Sequence, residues 1–326
     1  MRSDYIKAIN RAMDFVEKNL FEDLTLEQVS REACFSQFYF SRIFKSITGE
    51  TLFGYIQRLR LERAADLICQ GGETVMSEVA WKIGFSSPAS FTRAFREKFG
   101  CAPSEWKAAK TAGSENGNFS KENSKIGIAE GNLRKEIEES PYYFSSESKG
   151  DFLKTIWRFK MKEGNVEGKF EVRELPKTKF AYIRHIGPYA GDENLFGRLF
   201  GSIMRWAGPK GLVRFPETKM MTIYHDNPDI TPPEKFRISV GMTVPENVQP
   251  EGEIGVMDIE GGLYGVGTFE IDPKDYGAAW NMVYGGFLPE SGYKPDERAC
   301  FEVYLNDPRQ HPEGKHIVEI YAPIKK

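Results

Sequence analysis

The sequence predicts a multidomain protein in which an all-α N-terminal domain precedes an α+β C-terminal domain of two similar lobes. Three observations support this fold class. A pattern that begins with Phe-Ser recurs in residues 35–49 and 85–100, each time within helical periodicity. A polar segment that is short of apolar residues occupies 111–152. Beyond it, strand-like runs rich in Gly, Pro and aromatic residues repeat with an offset of about 80 residues.

The composition is that of an ordinary globular protein with room for two or three domains. The chain has 326 residues, 40% of them hydrophobic and 28% charged, and a net charge of −3. Residues 1–110 carry 16 Lys and Arg against 14 Asp and Glu, whereas the remainder carries 28 against 33. The front is therefore mildly basic and the back acidic, which favours a division of labour between the two parts.

Cysteine and histidine usage points away from metal or disulfide chemistry. The four cysteines are scattered and the four histidines have no metal-ligand spacing, so we expect no metal site, no disulfide framework and no cofactor. The start of the chain lacks an apolar signal core, and no run approaches the roughly 20 apolar residues that span a bilayer. We therefore expect a cytoplasmic protein without membrane contacts.

Helical spacing dominates residues 1–110, which we take as the first domain. Thr25 followed by Gln28 predicts a capping box at the start of a short helix. A longer helix over 51–70 is predicted to end at Gly71-Gly72, and another short helix precedes Gly84. Each short helix leads through a tight turn into a further helix, which is the arrangement of a helix-turn-helix unit.

The helix that follows each turn carries cations opposite its apolar stripe. At about 100° per residue, Phe40, Ile43, Phe44 and Ile47 fall on the buried side of the first such helix. A lone exposed arginine is usually a solvated surface residue, but equivalent arginines on duplicated units indicate a function. An arginine in the major groove discriminates guanine by about 1–3 kcal/mol, and cations near helix ends bind phosphates. The predicted DNA-contacting residues are Gln37, Phe38, Ser41, Arg42, Lys45, Ala89, Ser90, Thr92, Arg93 and Arg96.

The long helix over 51–70 separates the two units like a rod. Adjacent major-groove segments on one face of B-DNA lie about 34 Å apart. We therefore expect a monomer to contact two successive groove segments.

Residues 5–109 resemble the AraC/XylS-type DNA-binding domain. The resemblance rests on these motifs: Phe35-Ser36, Phe40-Ser41-Arg42-Ile43-Phe44-Lys45, Arg60-Leu61-Glu62-Arg63-Ala64, Ile83-Gly84-Phe85, Phe91-Thr92-Arg93-Ala94-Phe95 and Gly100-Cys101-Ala102-Pro103-Ser104. It implies seven helices and a transcription regulator that binds double-stranded promoter DNA and acts with RNA polymerase. The second recognition helix departs from the family in its Pro88-Ala89 start, although proline suits the first turn of a helix.

The C-terminal segment, which we take as 153–326, is predicted to be a diverged duplication. The clearest strands are the runs 170–173, 180–183, 220–224, 238–244 and 301–305. Each half of the repeat places a helix between strands, around 195–206 and 276–284. The polar segment 111–152 is predicted to be a linker with a helical fragment near 132–139.

Residues 168–324 resemble the GyrI-like effector-binding domain, and the order of the two domains resembles the Rob type of transcription activator. The resemblance rests on Arg184-His185-Ile186-Gly187-Pro188-Tyr189, Tyr224-His225-Asp226-Asn227-Pro228, Leu288-Pro289-Glu290-Ser291-Gly292-Tyr293 and the run 300–308. It implies a pocket between two lobes that in several members binds bulky hydrophobic, often cationic, compounds through a buried glutamate and aromatic residues.

The predicted strand 301–305 places a carboxylate among apolar residues. Glu302 and Tyr304 share one face, and Phe301, Val303 and Leu305 share the other. An unpaired buried carboxylate is costly, so either a cation meets Glu302 or it stays protonated. Aromatic faces add cation–π attraction, and the candidate ligand-binding residues are Glu302, Tyr304, Trp206, Tyr224 and Trp280. The alternatives are a half-exposed Glu302 paired with Lys or Arg, and aromatic residues that belong to the core.

Two other functions remain open at this point. Some GyrI-like proteins hydrolyse electrophilic small molecules, and Glu302 and Tyr304 would then serve as base and acid. A ligand-sequestering protein is the other alternative. Because a DNA-binding domain precedes the GyrI-like segment, we expect a ligand-responsive transcription activator rather than an enzyme.

Overall fold

The structure is a computed structural model that describes residues 2–69, 75–112, 142–147, 156–161, 166–228 and 230–326. Among these residues, no helix is long and apolar enough to span a membrane. The predicted helix end at Gly71-Gly72 and the predicted helical fragment near 132–139 lie outside the described residues. Most of the predicted linker does too, but its residues 142–147 form a strand and its first two complete a helix.

The N-terminal domain is all-α, as predicted. Its described helices are α1 (Arg2–Lys18), α2 (Leu26–Glu32), α3 (Gln37–Thr48), α4 (Leu52–Cys69), α5 (Met76–Lys82), α6 (Pro88–Phe99) and α7 (Pro103–Ala112). The capping box is confirmed, because the Thr25 side chain accepts from the Gln28 backbone and the Gln28 side chain accepts from the Thr25 backbone. Gly49 and Gly100 end α3 and α6 in the left-handed conformation that glycine adopts without strain.

The two helix-turn-helix units have matching turns. Cys34 and Gly84 hold positive φ angles of 58° and 78° between the helices. After each turn a phenylalanine amide bonds back into the preceding helix: Phe35 donates to the Ser30 carbonyl and Phe85 to the Ala80 carbonyl, both at 3.0 Å. The repeat in the sequence is therefore a repeat in backbone geometry.

Helix α4 contributes to both helical cores. Tyr55, Ile56 and Leu59 pack with Phe40 and Phe44, and the next two turns pack with the corresponding phenylalanines of α6. This confirms α4 as the element that joins the two units. The predicted buried stripe of α3 is wrong at Ile47, which is 38% exposed, because the buried side of α3 runs along Phe40, Phe44 and Thr48.

The described strands form one antiparallel sheet. They are β1 (Tyr142–Glu147), β2 (Ile156–Met161), β3 (Glu167–Leu175), β4 (Thr178–Ile186), β5 (Met220–Tyr224), β6 (Arg237–Val244), β7 (Gly255–Ile259), β8 (Gly262–Ile271), β9 (Lys294–Pro295), β10 (Cys300–Tyr304) and β11 (His316–Lys325). The order is β1-β2-β3-β8-β11-β10-β5-β6-β4-β7, with β9 paired to β11. From β3 to β7 this order has two-fold symmetry about the central β10–β5 pair, which confirms the two-lobe duplication.

One face of the sheet carries the helices of both lobes. The first lobe supplies α8 (Glu193–Ala207), and the second supplies α9 (Tyr276–Asn281), a π-helical turn (Met282–Phe287) and α10 (Leu288–Ser291). The two helical layers cover separate apolar clusters of the sheet. The central strands β5 and β10 therefore lie at the seam between the lobes. We call the space over these two strands, between the two helical layers, the cleft.

Candidate functional site

The recognition helices α3 and α6 present their predicted outward residues to solvent. Arg42, Lys45 and Phe38 are exposed on α3, and Arg93 and Arg96 are exposed on α6. The other exposed members of the predicted set are Gln37 and Ala89, whereas Ser41, Ser90 and Thr92 are half-buried. The geometry therefore gives each helix one cation in its middle and a second within the following turn.

Phe38 is 68% exposed, which is unusual for a large apolar side chain. The guanidinium of Arg42 lies over its ring, 4.8 Å from the centroid. This cation–π contact fixes the direction of both side chains on the outer face of α3. An exposed aromatic ring placed beside an arginine provides an apolar contact surface next to a bidentate hydrogen-bond donor.

The start of α6 is built by its own sequence. Ser87 is the N-cap and its hydroxyl accepts from the Ser90 amide at 3.1 Å, while Pro88 occupies the first turn. The Ser90 hydroxyl donates back to the Ser87 carbonyl at 2.7 Å, so its proton is already used. The side chains that line a shallow open depression on this face are Pro88, Ala89, Thr92, Arg93 and Arg96.

Helix α4 holds the two units through ion pairs on one of its sides. Arg58 pairs with Glu50 at 2.8 Å and with Glu62 at 3.0 Å. Glu62 also accepts from Lys98 of α6 at 2.9 Å. These mostly buried charges tie the end of α3 and the end of α6 to the same helix.

In the C-terminal domain, Glu302 is buried on the side of β10 that faces the cleft. It is 1% exposed and sits in the centre of β10, beside Thr222 of β5. Phe301 and Val303 point to the opposite face and pack in the sheet core, as the strand periodicity predicted. Leu305 lies just beyond the end of β10 and is 44% exposed, so the predicted strand end at Leu305 is one residue too late.

Three neutral donors surround the Glu302 carboxylate. The Tyr224 and Tyr304 hydroxyls donate to Oε2 at 2.8 and 2.7 Å, and the Trp280 indole donates to Oε1 at 2.7 Å. Among the described residues no Lys or Arg pairs with it, so the predicted alternative of a half-exposed ion pair is wrong. Burial raises the pKa of Glu302, although the three hydrogen bonds act in the opposite direction.

Three of the predicted aromatic residues, Tyr224, Tyr304 and Trp280, lie beside Glu302, and the sequence analysis missed several others. Tyr189 packs on Tyr224 with ring centroids 5.6 Å apart, and Phe236 packs on Tyr189 at 5.5 Å. Phe200 of α8 meets Tyr304 edge-on at 5.4 Å, and Tyr284 stacks on Trp280 at 6.0 Å. The Gly187-Pro188-Tyr189 motif and the aromatic face of the predicted helix 276–284 were the available signals.

Trp206 does not belong to this cleft, which corrects the prediction. It lies about 120° around α8 from Phe200, at the spacing of 100° per residue. Its indole donates to Glu251 at 2.9 Å, and its ring packs with the apolar cluster under α8. Of the two predicted tryptophans, Trp280 reaches Glu302 and Trp206 does not.

Burial shifts the pKa values of two other titratable groups near the cleft, Cys300 and His316. Burial raises the pKa of the Cys300 thiol to about 11, with Tyr284 beside it. A thiol with this pKa is a poor nucleophile at neutral pH. His316 accepts from or donates to the Tyr276 hydroxyl at 2.7 Å, and burial lowers its pKa. No group of three or more His, Cys, Asp or Glu side chains able to hold a metal occurs in the described residues.

Comparison with known families agrees with both halves of this architecture. The profile of a helix-turn-helix domain matches residues 29–109, and that of the GyrI-like small molecule binding domain matches residues 168–325. The chain is 31% identical over 160 residues to a DNA gyrase inhibitor of Salmonella arizonae and 32% identical over 164 residues to that of Yersinia enterocolitica. Each alignment covers 98% of the relative but 48% of this chain.

Two solved structures align with parts of the chain. The EcmrR–DNA complex aligns with 17% identity and a TM-score of 0.42, over 49% of this chain and 58% of that one. A transcriptional regulator with an AraC-type DNA-binding domain from Chromobacterium violaceum aligns with 27% identity and a TM-score of 0.30, over 31% of this chain and 90% of that one. On the strength of the family profiles and the gyrase-inhibitor relatives, the chain belongs to the GyrI-like family, and its GyrI-like small molecule binding domain follows an AraC-type helix-turn-helix domain.

Proposed function

We propose that the protein is a transcription regulator that binds promoter DNA through α3 and α6 and responds to a lipophilic cation bound in the cleft over Glu302. The observation that carries the ligand class is the buried Glu302 carboxylate, which neutral donors surround and no described cation neutralises. A cation that enters the aromatic walls restores the missing charge partner and gains cation–π attraction.

For DNA, the proposal assigns Arg42 and Arg93 to base edges. Both stand in the middle of an exposed helical face, where an arginine can reach guanine O6 and N7. Lys45 and Arg96 lie one turn later and suit phosphate contacts, which add affinity without sequence information. The small side chains of Ser41, Ser90 and Thr92, which precede these arginines on the two helices, allow close approach to the groove.

Selection of bound sequences from a random duplex library tests this assignment without a known operator. The wild-type protein is expected to select two blocks about one helical turn apart. Arg42→Ala should erase sequence preference in one block and Arg93→Ala in the other, while Arg309→Ala, an exposed arginine of the C-terminal domain, serves as the control. If both recognition-helix variants select the wild-type motif, the groove assignment is wrong.

For the ligand, the proposal is tested with tetraphenylphosphonium, a lipophilic cation, and a neutral tetraphenyl analogue of the same shape. We expect the cation to bind and to quench Trp280 fluorescence, and Glu302→Gln to weaken its binding at least tenfold. Equal binding of the cation and the neutral analogue would remove Glu302 as the charge partner.

We propose that the C-terminal domain binds its ligand without converting it. Burial raises the pKa of Tyr224 and of Tyr304 well above the ordinary value, so both hydroxyls stay protonated as donors to Glu302. Turnover of an electrophilic ester that Glu302→Gln abolishes would instead establish a hydrolase.

The direction of regulation is part of the proposal. We propose that the DNA-bound protein activates transcription through RNA polymerase. In vitro transcription from a promoter that carries the selected site, with and without the cation, measures this directly. A fall in transcript upon addition of the protein would make it a repressor.

A further inference from the structure

The face of the sheet opposite the cleft is packed against the helix-turn-helix domain. The Tyr182 hydroxyl of β4 donates to Asp14 of α1 at 2.5 Å, and Arg184 Nη1 lies 2.9 Å from Asp14 Oδ1. Arg237 of β6 donates from Nη1 to the Tyr55 hydroxyl of α4 at 2.7 Å. Side chains of α1 and α4 thus meet charged residues of the sheet directly.

Glu17 of α1 is the centre of this contact. Its Oε1 accepts from Arg237 Nη1 at 2.6 Å, and its Oε2 lies 3.1 Å from His225 Nδ1. Burial alone would raise the pKa of Glu17, but Arg237, His225 and Arg184 together hold it well below the usual range. An ionised Glu17 therefore requires these three groups of the other domain.

Arg237 is fixed in its own domain before it reaches across. It is 4% exposed and pairs with Asp226 through both Nε and Nη2, the latter at 2.6 Å. The remaining Nη1 points to Glu17 and Tyr55. A displacement of His225 and Arg237 therefore moves the groups that hold Glu17 of α1.

Two pairs of neighbouring residues, Tyr224–His225 and Phe236–Arg237, contact both the cleft and α1. Tyr224 donates to Glu302 on the cleft side, and the next residue, His225, binds Glu17 on the opposite side. Likewise Phe236 packs on the cleft residue Tyr189, and the next residue, Arg237, binds Glu17. Each pair straddles a strand end, since β5 ends at Tyr224 and β6 begins at Arg237, and the contacts of its two members lie on opposite faces of the sheet.

We propose that these two residue pairs couple the ligand cleft to the DNA-binding domain, so that occupancy of the cleft weakens the docking of α1 on the sheet. This inference rests on the proposed function, because it names how the ligand of that cleft acts. A cation on Glu302 competes with the Tyr224 hydroxyl for the same carboxylate. Tyr224 then shifts, and His225 moves with it away from Glu17.

The docked contact is suited to release. Both terminal nitrogens of Arg184 are buried without a hydrogen-bond acceptor in good geometry, although Nη1 lies close to Asp14. A buried charge network that is incompletely hydrogen-bonded gains little from remaining closed. A ligand shifts such an equilibrium by its difference in affinity for the two states.

A matched pair of hydroxyl deletions tests the coupling without any ligand. Tyr224→Phe and Tyr304→Phe each remove one donor to Glu302 Oε2, but only Tyr224 precedes a residue that binds Glu17. Hydrogen–deuterium exchange of residues 8–18 in the full chain is expected to become about fivefold faster in Tyr224→Phe, the low end of typical coupling, and to stay unchanged in Tyr304→Phe. Equal exchange in the two variants would overturn the proposal.

A second arm uses tetraphenylphosphonium and two carboxylate variants. The cation should accelerate exchange of residues 8–18 in the wild type and in Glu297→Gln. Glu297→Gln is the control, because its ion pair with Lys82 also joins the two domains but does not involve His225 or Arg237. In Glu17→Gln exchange should already be fast and the cation should add nothing. If the cation quenches Trp280 without changing exchange, the coupling fails while the proposed function stands. If it does not bind, the proposed ligand class fails and the hydroxyl pair alone decides the coupling.

Discussion

Arg60 and Gly84 are joined across the N-terminal domain: Arg60 Nη1, from the middle of α4, donates to the Gly84 carbonyl at 2.7 Å. The same guanidinium donates to the carbonyls of Leu20 and Glu22, at 2.8 and 2.5 Å. One side chain therefore pins the loop between α1 and α2 and the turn before α6 to the helix that separates the two recognition helices.

Replacement of Arg60 should loosen both attachments at once. Because hydrogen bonds to charged groups contribute about 1.5–3 kcal/mol each and Arg60 is partly solvated, we expect Arg60→Ala to cost about 2–4 kcal/mol. Thermal unfolding of the full chain, followed through its helical signal, measures this. Arg31→Ala is the control, since its exposed pair with Glu27 is worth no more than about 0.5 kcal/mol. Similar losses of unfolding free energy in the two variants would contradict this role of Arg60.

Gly84 and Gly100 separate backbone strain from steric conflict. Both have left-handed φ angles, 78° and 75°, but a Cβ at Gly84 would lie 2.9 Å from Arg60 Cζ and 3.0 Å from the Phe21 carbonyl oxygen, whereas a Cβ at Gly100 meets nothing within 4 Å. Gly100→Ala should cost about 1–2 kcal/mol for the conformation alone. Gly84→Ala should lower the free energy of unfolding clearly more than Gly100→Ala does, and thermal unfolding of the two variants measures the difference. Equal losses would mean that the Arg60 side chain moves aside at no energetic cost.

Ligand affinity should depend on pH through Glu302. Burial raises the pKa of Glu302 above its ordinary value of 4.5. Because the folded-state pKa is the higher one, the stability contributed by this group is complete below the unfolded-state pKa and is lost as pH rises through the folded-state pKa. A cation prefers the ionised form, so affinity for tetraphenylphosphonium should rise with pH through that same window. Titrations at several pH values measure it, and Glu302→Gln should show a flat profile.

Trp280 and Trp206 offer a test of the cleft boundary. Trp280→Phe removes the indole donor to Glu302 Oε1 and should weaken cation binding about three- to thirtyfold, as for a cation–π face of roughly 0.5–2 kcal/mol. Trp206→Phe should leave the dissociation constant unchanged, because its indole binds Glu251. Isothermal titration calorimetry of the two variants measures both dissociation constants; a loss on Trp206→Phe would extend the site along α8.

The helical half was largely predictable because its signals are local. The Thr25–Gln28 capping box, the Gly84 turn and the pairing of Phe40 with Phe44 each depend on residues within one or two helical turns. Helical periodicity placed Arg42 and Arg93 on exposed faces, and both are exposed. The error at Ile47 arose because the helical wheel was centred on Phe40, whereas the buried side of α3 shifts along the helix toward Thr48.

The sequence by itself determined the duplicated units, the strand alternation around Glu302 and the two-lobe plan, since these follow from short-range periodicity and from repetition. Only the tertiary structure decided which aromatic residues meet. Strand pairing sets Tyr224 beside Cys300 and brings Trp280, not Trp206, over Glu302. It also brought Glu17 to Arg237, 220 positions away, because a buried charge finds its partner through the packing of one domain on another, which no local pattern encodes.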